Sequence, residues 1–250
     1  MKFSYLSETV NIKKVSESAA DGVFEIEGLY TGYGITVGNA LRRVLYSSLP
    51  GAAITQIKIK GVSHEFSTLP GIVEDIVELT LNLKKIRFRV LTDEPQILPL
   101  KIKGEKEVKA SDIQTNAQVE IITPNAHIAT LTAKNAELDM ELTVERGLGY
   151  VSVAMRKSEK LPIGVIVLDA AFSPVTKANF VVENMRVGER TDFNRLKVDI
   201  STDGSITPSA ALRKACNILQ DHFAKIAQIE VAEAAAPVTE EKPKKKSSKK

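Results

Sequence analysis

A glycine-rich segment near the amino terminus is the first place where this sequence could bind a phosphorylated ligand. Gly32, Gly34 and Gly38 lie between a predicted strand and a predicted helix, where similar loops bring backbone amides close to a dinucleotide pyrophosphate. The third glycine comes one residue too late for the G-x-G-x-x-G spacing, and the strands that follow alternate instead of forming buried parallel runs. We favour a structural interpretation, a tight turn into the helix. A free-standing enzyme that binds a nucleotide through these glycines is the alternative.

Acidic and histidine side chains offer little for metal or acid–base chemistry. Glu74, Asp75 and Glu78 occupy polar positions of a predicted amphipathic helix, where carboxylates near the first turn favour the helix dipole and are expected in solvent. The chain has three histidines, His64, His127 and His222. None has a second histidine at i+3 or i+4, and neither a P-loop nor a nucleophile elbow occurs. The sequence predicts no active site, no metal site and no cofactor on this chain.

Charge and cysteine content limit the classes of partner. The 250 residues have a formal net charge of +3, and residues 231–250 alone supply it, with six lysines against three glutamates. This tail of Ala, Glu, Pro and Lys is predicted to be disordered and to make at most weak, nonspecific DNA contacts. A nucleic-acid-binding protein that relies on these lysines is a further alternative. The single cysteine, Cys216, excludes an intramolecular disulfide. Without an apolar signal core or spanning segment, we expect a cytoplasmic protein with no membrane contact.

Hydrophobic periodicity predicts an α+β protein with mainly antiparallel strands. One helix is expected over residues 36–48, with Leu41 and Leu45 facing a core and Arg43 facing away from it. A second is expected to open at Pro70-Gly71 and run to Leu83. Strands are predicted over residues 23–26, 54–60, 86–91, 97–102, 119–122, 128–131, 138–144, 165–168, 180–186 and 195–201.

The last predicted helix has an apolar face broader than one neighbour usually covers. Thr207 can cap it, Pro208 suits its first turn, and it is expected to end near Ile229. Residues spaced by four and three form a helix-packing seam, namely Leu212, Cys216, Leu219, Phe223 and Ile226. Two interpretations stay open at this point. The helix lies on its own sheet, or the seam packs against a second copy.

Several motifs in order along the chain resemble the α subunit of bacterial-type RNA polymerase. They include residues 32–45 (GYGITVGNALRRVL), 61–68 (GVSHEFST), 145–150 (ERGLGY), 172–175 (FSPV), 190–192 (RTD) and 202–208 (TDGSITP). Together with shorter matches they cover about residues 23 to 226. This number of ordered matches identifies the chain as a member of that family.

The resemblance implies a split architecture and a set of partners. Residues 1–50 and 173–230 would form a dimerisation domain, with two long helices and an antiparallel sheet, and residues 51–172 an inserted, mainly β domain. The two long helices would pack against their copies in a homodimer, with the seam residues at the interface. Arg43 and Lys84 would help the dimer hold the β subunit, and β′ would follow. For Lys84, an ordinary exposed lysine near a helix end is the alternative.

The chain departs from the family pattern at two internal positions and at its end. Thr31 stands where the family usually has Arg, and Tyr46 replaces a usual Leu. The family normally continues into a small carboxy-terminal domain that binds promoter DNA. Because this chain ends about 20 residues after its last predicted helix, we expect that domain to be absent.

Overall fold

The computed structural model describes residues 8–156, 162 and 164–229. The predicted tail, residues 231–250, lies outside them. Within the described residues the chain is an α+β protein in which every paired strand is antiparallel. No helix of this part is long and apolar enough to cross a membrane.

The strands and helices follow one another along the chain as follows: β1 Asn11–Glu17, β2 Asp21–Leu29, α1 Tyr33–Ser47, β3 Pro50–Ile59, α2 Ile76–Leu83, β4 Phe88–Val90, β5 Gln96–Lys103, β6 Lys106–Lys109, β7 Val119–Ile121, β8 His127–Leu131, β9 Glu137–Leu148, β10 Tyr150–Val151, α3 Val153–Arg156, β11 Val165–Val167, β12 Ala170–Ala171, β13 Val175–Val187, β14 Arg190–Thr202 and α4 Pro208–Ile226. A single 3₁₀ turn covers Ala110–Asp112.

Four strands from the two ends of the described chain form one sheet, in the order β1-β2-β14-β13. The helices α1 and α4 lie against each other and against this sheet. The central strands of the chain form a second sheet, β5-β9-β3-β4-β7, to whose β3 the short strand β11 also pairs. Two-stranded pairs, β6-β8 and β10-β12, complete the β structure of the described residues.

Each large sheet has a hydrophobic core of its own. The first core takes its buried side chains from residues 24–49 and 175–215, and the second takes them from residues 52–168. The chain therefore leaves its first core after α1, builds the second, and returns to the first with β13.

Alternation of apolar and polar residues predicted the strands of the second sheet well. In β9, Leu138, Met140, Leu142 and Val144 are all buried, whereas their neighbours face outward, so the expected strand with one solvated face is confirmed. The strands β1, β6, β10 and β12 were not predicted. β1 shows no alternation of burial, because six of its seven residues are exposed, and a strand of this kind leaves no hydrophobic signal.

The helix predicted to open at Pro70-Gly71 begins later, and that part of the prediction is wrong. Gly71 has φ +79, and the next two residues run beside β8, where the Val73 amide donates to the Thr130 carbonyl at 3.0 Å. The helix α2 starts only at Ile76, after Asp75 accepts a hydrogen bond from the Glu78 amide at 2.7 Å. Pairing with β8 therefore replaces the first helical turns that the spacing predicted.

Candidate functional site

The glycine-rich segment is a packed helix start whose amides are already bonded. Gly32 has φ +85 and immediately precedes α1, which confirms the predicted tight turn. The side-chain oxygen of Asn194, from β14, accepts hydrogen bonds from the amides of Gly32 and Gly34 at 2.9 and 3.3 Å. An amide bonded to a protein oxygen is not free for a phosphate, so the structure offers no support for the nucleotide alternative.

The other two glycines allow α1 to approach β13 closely. A Cβ atom on Gly34 would lie 2.7 Å from Val182, and one on Gly38 would lie 2.6 Å from the Phe180 ring. Both distances are shorter than side-chain contacts allow. The four-residue spacing of Gly34 and Gly38 therefore marks the helix face that touches the sheet.

Arg43 lies on the outer face of α1, as predicted. Leu41 and Leu45 are buried on the opposite face, whereas the Arg43 side chain is exposed. It makes no ion pair or side-chain hydrogen bond with any described residue, whereas its neighbour Arg42 stacks over Phe180. Arg43 thus presents a free guanidinium at the surface.

Lys84 follows α2 and is held in a local ion pair. Its Nζ lies 3.2 Å from Oδ2 of Asp169, and its side chain is 33% exposed. The other oxygen of Asp169 accepts from the Val153 amide at 2.8 Å. These bonds, from Val153 first and Lys84 second, lower the pKa of Asp169. Lys84 is therefore not a freely solvated lysine. It lies in the stretch of chain that builds the second core, whereas Arg43 lies on the helix that packs over the first.

The predicted seam of α4 divides into a buried half and an exposed half. Leu212 is buried in the chain's own core beside Ala211 and Ala215, and Leu219 is partly buried there. Farther along, Phe223 is 63% and Ile226 66% exposed. The alternative of a helix that lies on its own sheet therefore holds for the first half of α4 only.

An apolar groove of about 490 Å³ runs between α4 and the first two strands. Its walls include Ile12, Phe24 and Ile26 from the sheet, and Leu212 and Cys216 from α4. The Cys216 side chain is exposed although it lies between Leu212 and Leu219 in the seam, and partial desolvation raises the pKa of its thiol. An apolar groove and an apolar helix end, neither of them covered by any described residue, thus both involve α4.

Glu74 is not the solvated helix carboxylate that the sequence indicated, and that expectation is wrong. It precedes α2, and its two oxygens bond His127 Nε2 at 2.8 Å and the Thr130 amide at 2.6 Å. Burial by itself would raise the pKa of Glu74, but the hydrogen bonds from Thr130 and His127 outweigh it and lower the pKa. Sequence reasoning missed this group because its members are about 50 residues apart.

Both departures from the family pattern take part in internal hydrogen bonds. Thr31 donates to the Asp192 carboxylate at 2.7 Å, and this carboxylate also pairs with Arg190. The hydroxyl of Tyr46 accepts a hydrogen bond from the Ala178 amide at 2.7 Å and so ties α1 to β13. Each departure therefore supports the first sheet.

Comparison with known proteins gives a consistent result over most of the chain. A sequence model described as the RNA polymerase Rpb3/RpoA insert domain matches residues 57–173. The chain is 48% identical over 229 residues to the DNA-directed RNA polymerase subunit alpha of a Roseiflexus species, a match that covers 91% of this chain and 70% of that relative. The chain belongs to the α-subunit family of DNA-directed RNA polymerases. Further α subunits, from Symbiobacterium thermophilum and Limosilactobacillus reuteri, are 49% and 45% identical over 84% and 94% of this chain.

The chain spans about two thirds of the length of the α subunits that it matches, 66% of the Symbiobacterium protein and 75% of the Limosilactobacillus protein.

The α-family motifs lie at positions where close packing or a tight turn restricts the residue type. Residues 32–45 form the start and body of α1, and residues 202–208 form the turn that leads into α4. A Cβ atom on Gly147, in the motif at residues 145–150, would lie 2.7 Å from the Phe172 ring. The motifs that carry the resemblance are therefore, in part, positions where the packing admits only certain residues.

Proposed function

We propose that this chain is the assembly subunit of a DNA-directed RNA polymerase, which forms a homodimer and then binds the β and β′ subunits. Its role is to hold the larger subunits together, with catalysis on those partners. The observation that carries the proposal is the uncovered apolar half of α4 in a chain of the α-subunit family. DNA-templated RNA synthesis is the activity that the names of these relatives imply for the complete complex.

The proposed dimerisation domain comprises residues 1–50 and 173–230, and the inserted domain comprises residues 51–172. Two separate hydrophobic cores support this division, because their buried residues come from the corresponding stretches of chain. The family match at residues 57–173 supports the second unit. A core of its own is the usual property of a domain.

Burial of the α4 seam against a second copy supplies the driving force for dimerisation. Phe223 and Ile226 are each more than 60% exposed in the single chain, and burying such a side chain stabilises an interface by about 1.5–3 kcal/mol. The groove lined by Phe24, Ile26 and Leu212 provides apolar surface for the corresponding residues of the second copy. In a dimer with twofold symmetry, the seam contact and the groove contact would each occur twice.

Arg43 and Lys84 are the proposed contacts to the β subunit. The free guanidinium of Arg43 can bind a carboxylate through two parallel hydrogen bonds. Lys84 can act only after its ion pair with Asp169 opens or accepts a further anion, since Asp169 already holds its ammonium group. We therefore expect Arg43 to contribute more to partner affinity than Lys84 does.

The lysine-rich tail is proposed to contact DNA weakly and without sequence preference, on the basis of its composition alone. Lysines that neutralise phosphates release counterions, so such contacts weaken as salt rises. They would add to the affinity of a larger assembly without selecting a promoter.

Sedimentation and reconstitution test the proposed function. The full chain is expected to sediment as a dimer at micromolar concentration and, with purified β and β′, to form one complex on gel filtration. A tagged chain should recover polymerase subunits from the lysate of its own cells as the dominant proteins. A monomeric chain, or a dimer that binds neither large subunit, would contradict the proposal.

A further inference from the structure

A cleft of about 380 Å³ lies at the junction of the two cores. Strands of the second core form one side of it, with Pro50 at the start of β3 and Phe88 in β4. The other side comes from Ile206, before α4, and from Lys214 in α4 itself. The two parts of the chain thus each supply one wall.

The charged residues among the described lining of this cleft are all basic, and none of the described lining residues carries a carboxylate. Arg89, Arg146 and Lys214 reach it from β4, β9 and α4. Because the positive charges come from three elements that are distant in the sequence, their convergence cannot be recognised from the sequence. Cations that share a concave wall raise the local concentration of anions.

Arg89, Arg146 and Lys214 differ in how many of their N–H donors already form hydrogen bonds within the chain. Arg89 is the most engaged of the three, since it donates to the carbonyls of Ser205 and Gly204 and to the Glu120 carboxylate. Arg146 has a single bond, from Nη1 to Asp93 at 2.8 Å. Lys214 has no hydrogen bond or ion pair with any described residue. Arg146 and Lys214 therefore retain donors for a ligand, while Arg89 joins the two walls.

We propose that this cleft binds an acidic segment of a partner protein, with carboxylates on Arg146 and Lys214. The apolar side chains of the lining favour a peptide over a small inorganic anion. Leu91 on the rim is 72% exposed and Ile206 is partly exposed, whereas Phe88 and Ala52 lie buried beneath the floor. A peptide that carries an apolar side chain between acidic ones can use both kinds of surface, whereas a bare phosphate uses only the charges.

Asp93 acts as a built-in competitor for Arg146. Its side chain is 87% exposed, so the pair lies in solvent and is weak. An incoming carboxylate can replace Asp93 without leaving a buried charge unpaired. Removal of the Asp93 charge should therefore strengthen binding of the acidic segment.

The inference is independent of the proposed polymerase function, because the cleft lies within one copy of the chain and involves neither Arg43 nor the distal half of α4. The test uses the full chain and a short fluorescein-labelled peptide of glutamates interrupted by single leucines. Fluorescence anisotropy would be measured at low and at physiological salt. The same measurement with a peptide that has glutamine in place of glutamate tests whether the carboxylates are needed. Inorganic pyrophosphate is added as a competitor to test whether a small anion occupies the same cleft.

Three substitutions and one control distinguish the cleft from general charge. Arg146→Gln and Lys214→Gln should each weaken binding of the glutamate peptide by about fivefold, and Asp93→Asn should strengthen it by about twofold. Lys58→Gln, at an exposed position of β3 outside the cleft lining, removes the same charge and should leave binding within about 1.5-fold. Circular dichroism of each variant checks the fold.

Several results would overturn the proposal. If Lys58→Gln lowers the affinity for the glutamate peptide as much as Arg146→Gln does, the peptide binds by overall charge or through the lysine-rich tail. If the glutamine peptide binds equally well, the carboxylates are not recognised. If pyrophosphate binding depends on Arg146 and Lys214 while the glutamate peptide does not bind, the cleft is a phosphate site. The proposal of an acidic protein segment would then be wrong.

Discussion

At the scale of single residues, polar side chains connect segments that are far apart in the sequence. Asn194 bonds the start of α1 from β14, and Tyr46 of α1 bonds the backbone of β13. Asp169 holds both Lys84 and the Val153 amide. The bonds to Asn194 and Tyr46 satisfy the amides of the buried Gly34 and Ala178, which have lost contact with water. All of these bonds help to fix the position of an element.

Arg43→Ala should leave the fold and the dimer intact and reduce affinity for the β subunit. The exposed side chain contributes nothing to the core, so the free energy of unfolding should change by no more than about 0.5 kcal/mol. Loss of a paired and desolvated guanidinium costs on the order of 2–5 kcal/mol of binding. Gel filtration with purified β, beside circular dichroism of the variant, measures both effects.

Arg186→Ala is the matched control for Arg43→Ala. Arg186 lies in β13, and among the described residues its guanidinium hydrogen-bonds only the Gly188 carbonyl. This control should bind β normally. Normal β binding by Arg43→Ala would refute the partner contact, and a monomeric Arg43→Ala variant would instead place the residue in the dimer interface.

Glu17 should make stability depend on pH in the acid range. The Ser209 and Lys14 side chains and the Ser209 amide donate hydrogen bonds to it and lower its pKa from 4.5 to about 2. A lowered pKa in the folded state stabilises the protein above the unfolded pKa, and this stabilisation disappears as the pH falls from about 4.5 to about 2. Glu17→Gln should therefore destabilise the chain at neutral pH and have a diminishing effect below pH 4.5.

Urea unfolding of the wild-type chain and Glu17→Gln at several pH values measures that difference. Glu65→Gln, at an exposed position without a hydrogen bond among the described contacts, serves as control and should show no such trend. A Glu17→Gln effect that is constant from neutral pH to pH 3 would show that the carboxylate charge is not the cause.

At the scale of elements, the contact between α1 and β13 depends on missing side chains. Gly38→Ala should destabilise the chain, even though alanine is about 1 kcal/mol more favourable than glycine inside a helix. The new Cβ atom would lie 2.6 Å from the Phe180 ring, and overpacking of this kind costs about 1–3 kcal/mol. Urea unfolding should show a net loss. Thr36→Ala, on the exposed face of α1, should show a small gain or no change.

The exposed half of α4 allows a test of dimerisation that spares the single chain. Phe223→Asp should abolish the dimer, because it places an unpaired charge in an apolar contact at a cost of several kcal/mol. Leu219 is less suitable because it is partly buried in the chain's own core. Sedimentation should give folded monomers for Phe223→Asp and dimers for Asn217→Asp, whose side chain lies on the outer face of the same helix. An intact Phe223→Asp dimer would exclude this half of the seam from the interface.

At the scale of the whole molecule, the two points where the chain passes between the cores lie against each other, and Arg89 connects the two parts of the chain. Gly51 has no room for a Cβ atom, which would lie 1.8 Å from the Phe172 carbonyl oxygen. Arg89 reaches from the second core to the carbonyls of Gly204 and Ser205 before α4. The junction is therefore built where the chain passes from one core to the other.

Deletion of Pro237–Lys250 should leave both folding and dimerisation unchanged. This stretch contains almost no large apolar residue, so it has little surface to bury. Thermal unfolding and sedimentation of the shortened chain should match those of the full chain, and weak DNA binding at low salt should decrease. A sequence-specific promoter footprint from the full chain alone would contradict nonspecific binding by the tail.

The sequence by itself determined the α+β class, most of the strands, the amphipathic helices and the family. Local patterns such as the alternation from Leu138 to Val144, or Thr207-Pro208 before α4, specify elements directly, because neighbours in the sequence share one face or one cap. Ordered motifs carried the family assignment. The outward direction of Arg43 also followed from helical spacing alone.

Only the tertiary structure decided which groups meet across long stretches of chain. It shortened α2 by pairing residues before it with β8, placed Glu74 beside His127, and bonded Lys84 to Asp169. It also separated the buried Leu212 from the exposed Phe223 within one regular seam. Periodicity predicts which face of a helix is apolar. It does not predict how much of that face the chain's own sheet covers, because this depends on where the sheet ends in the folded molecule.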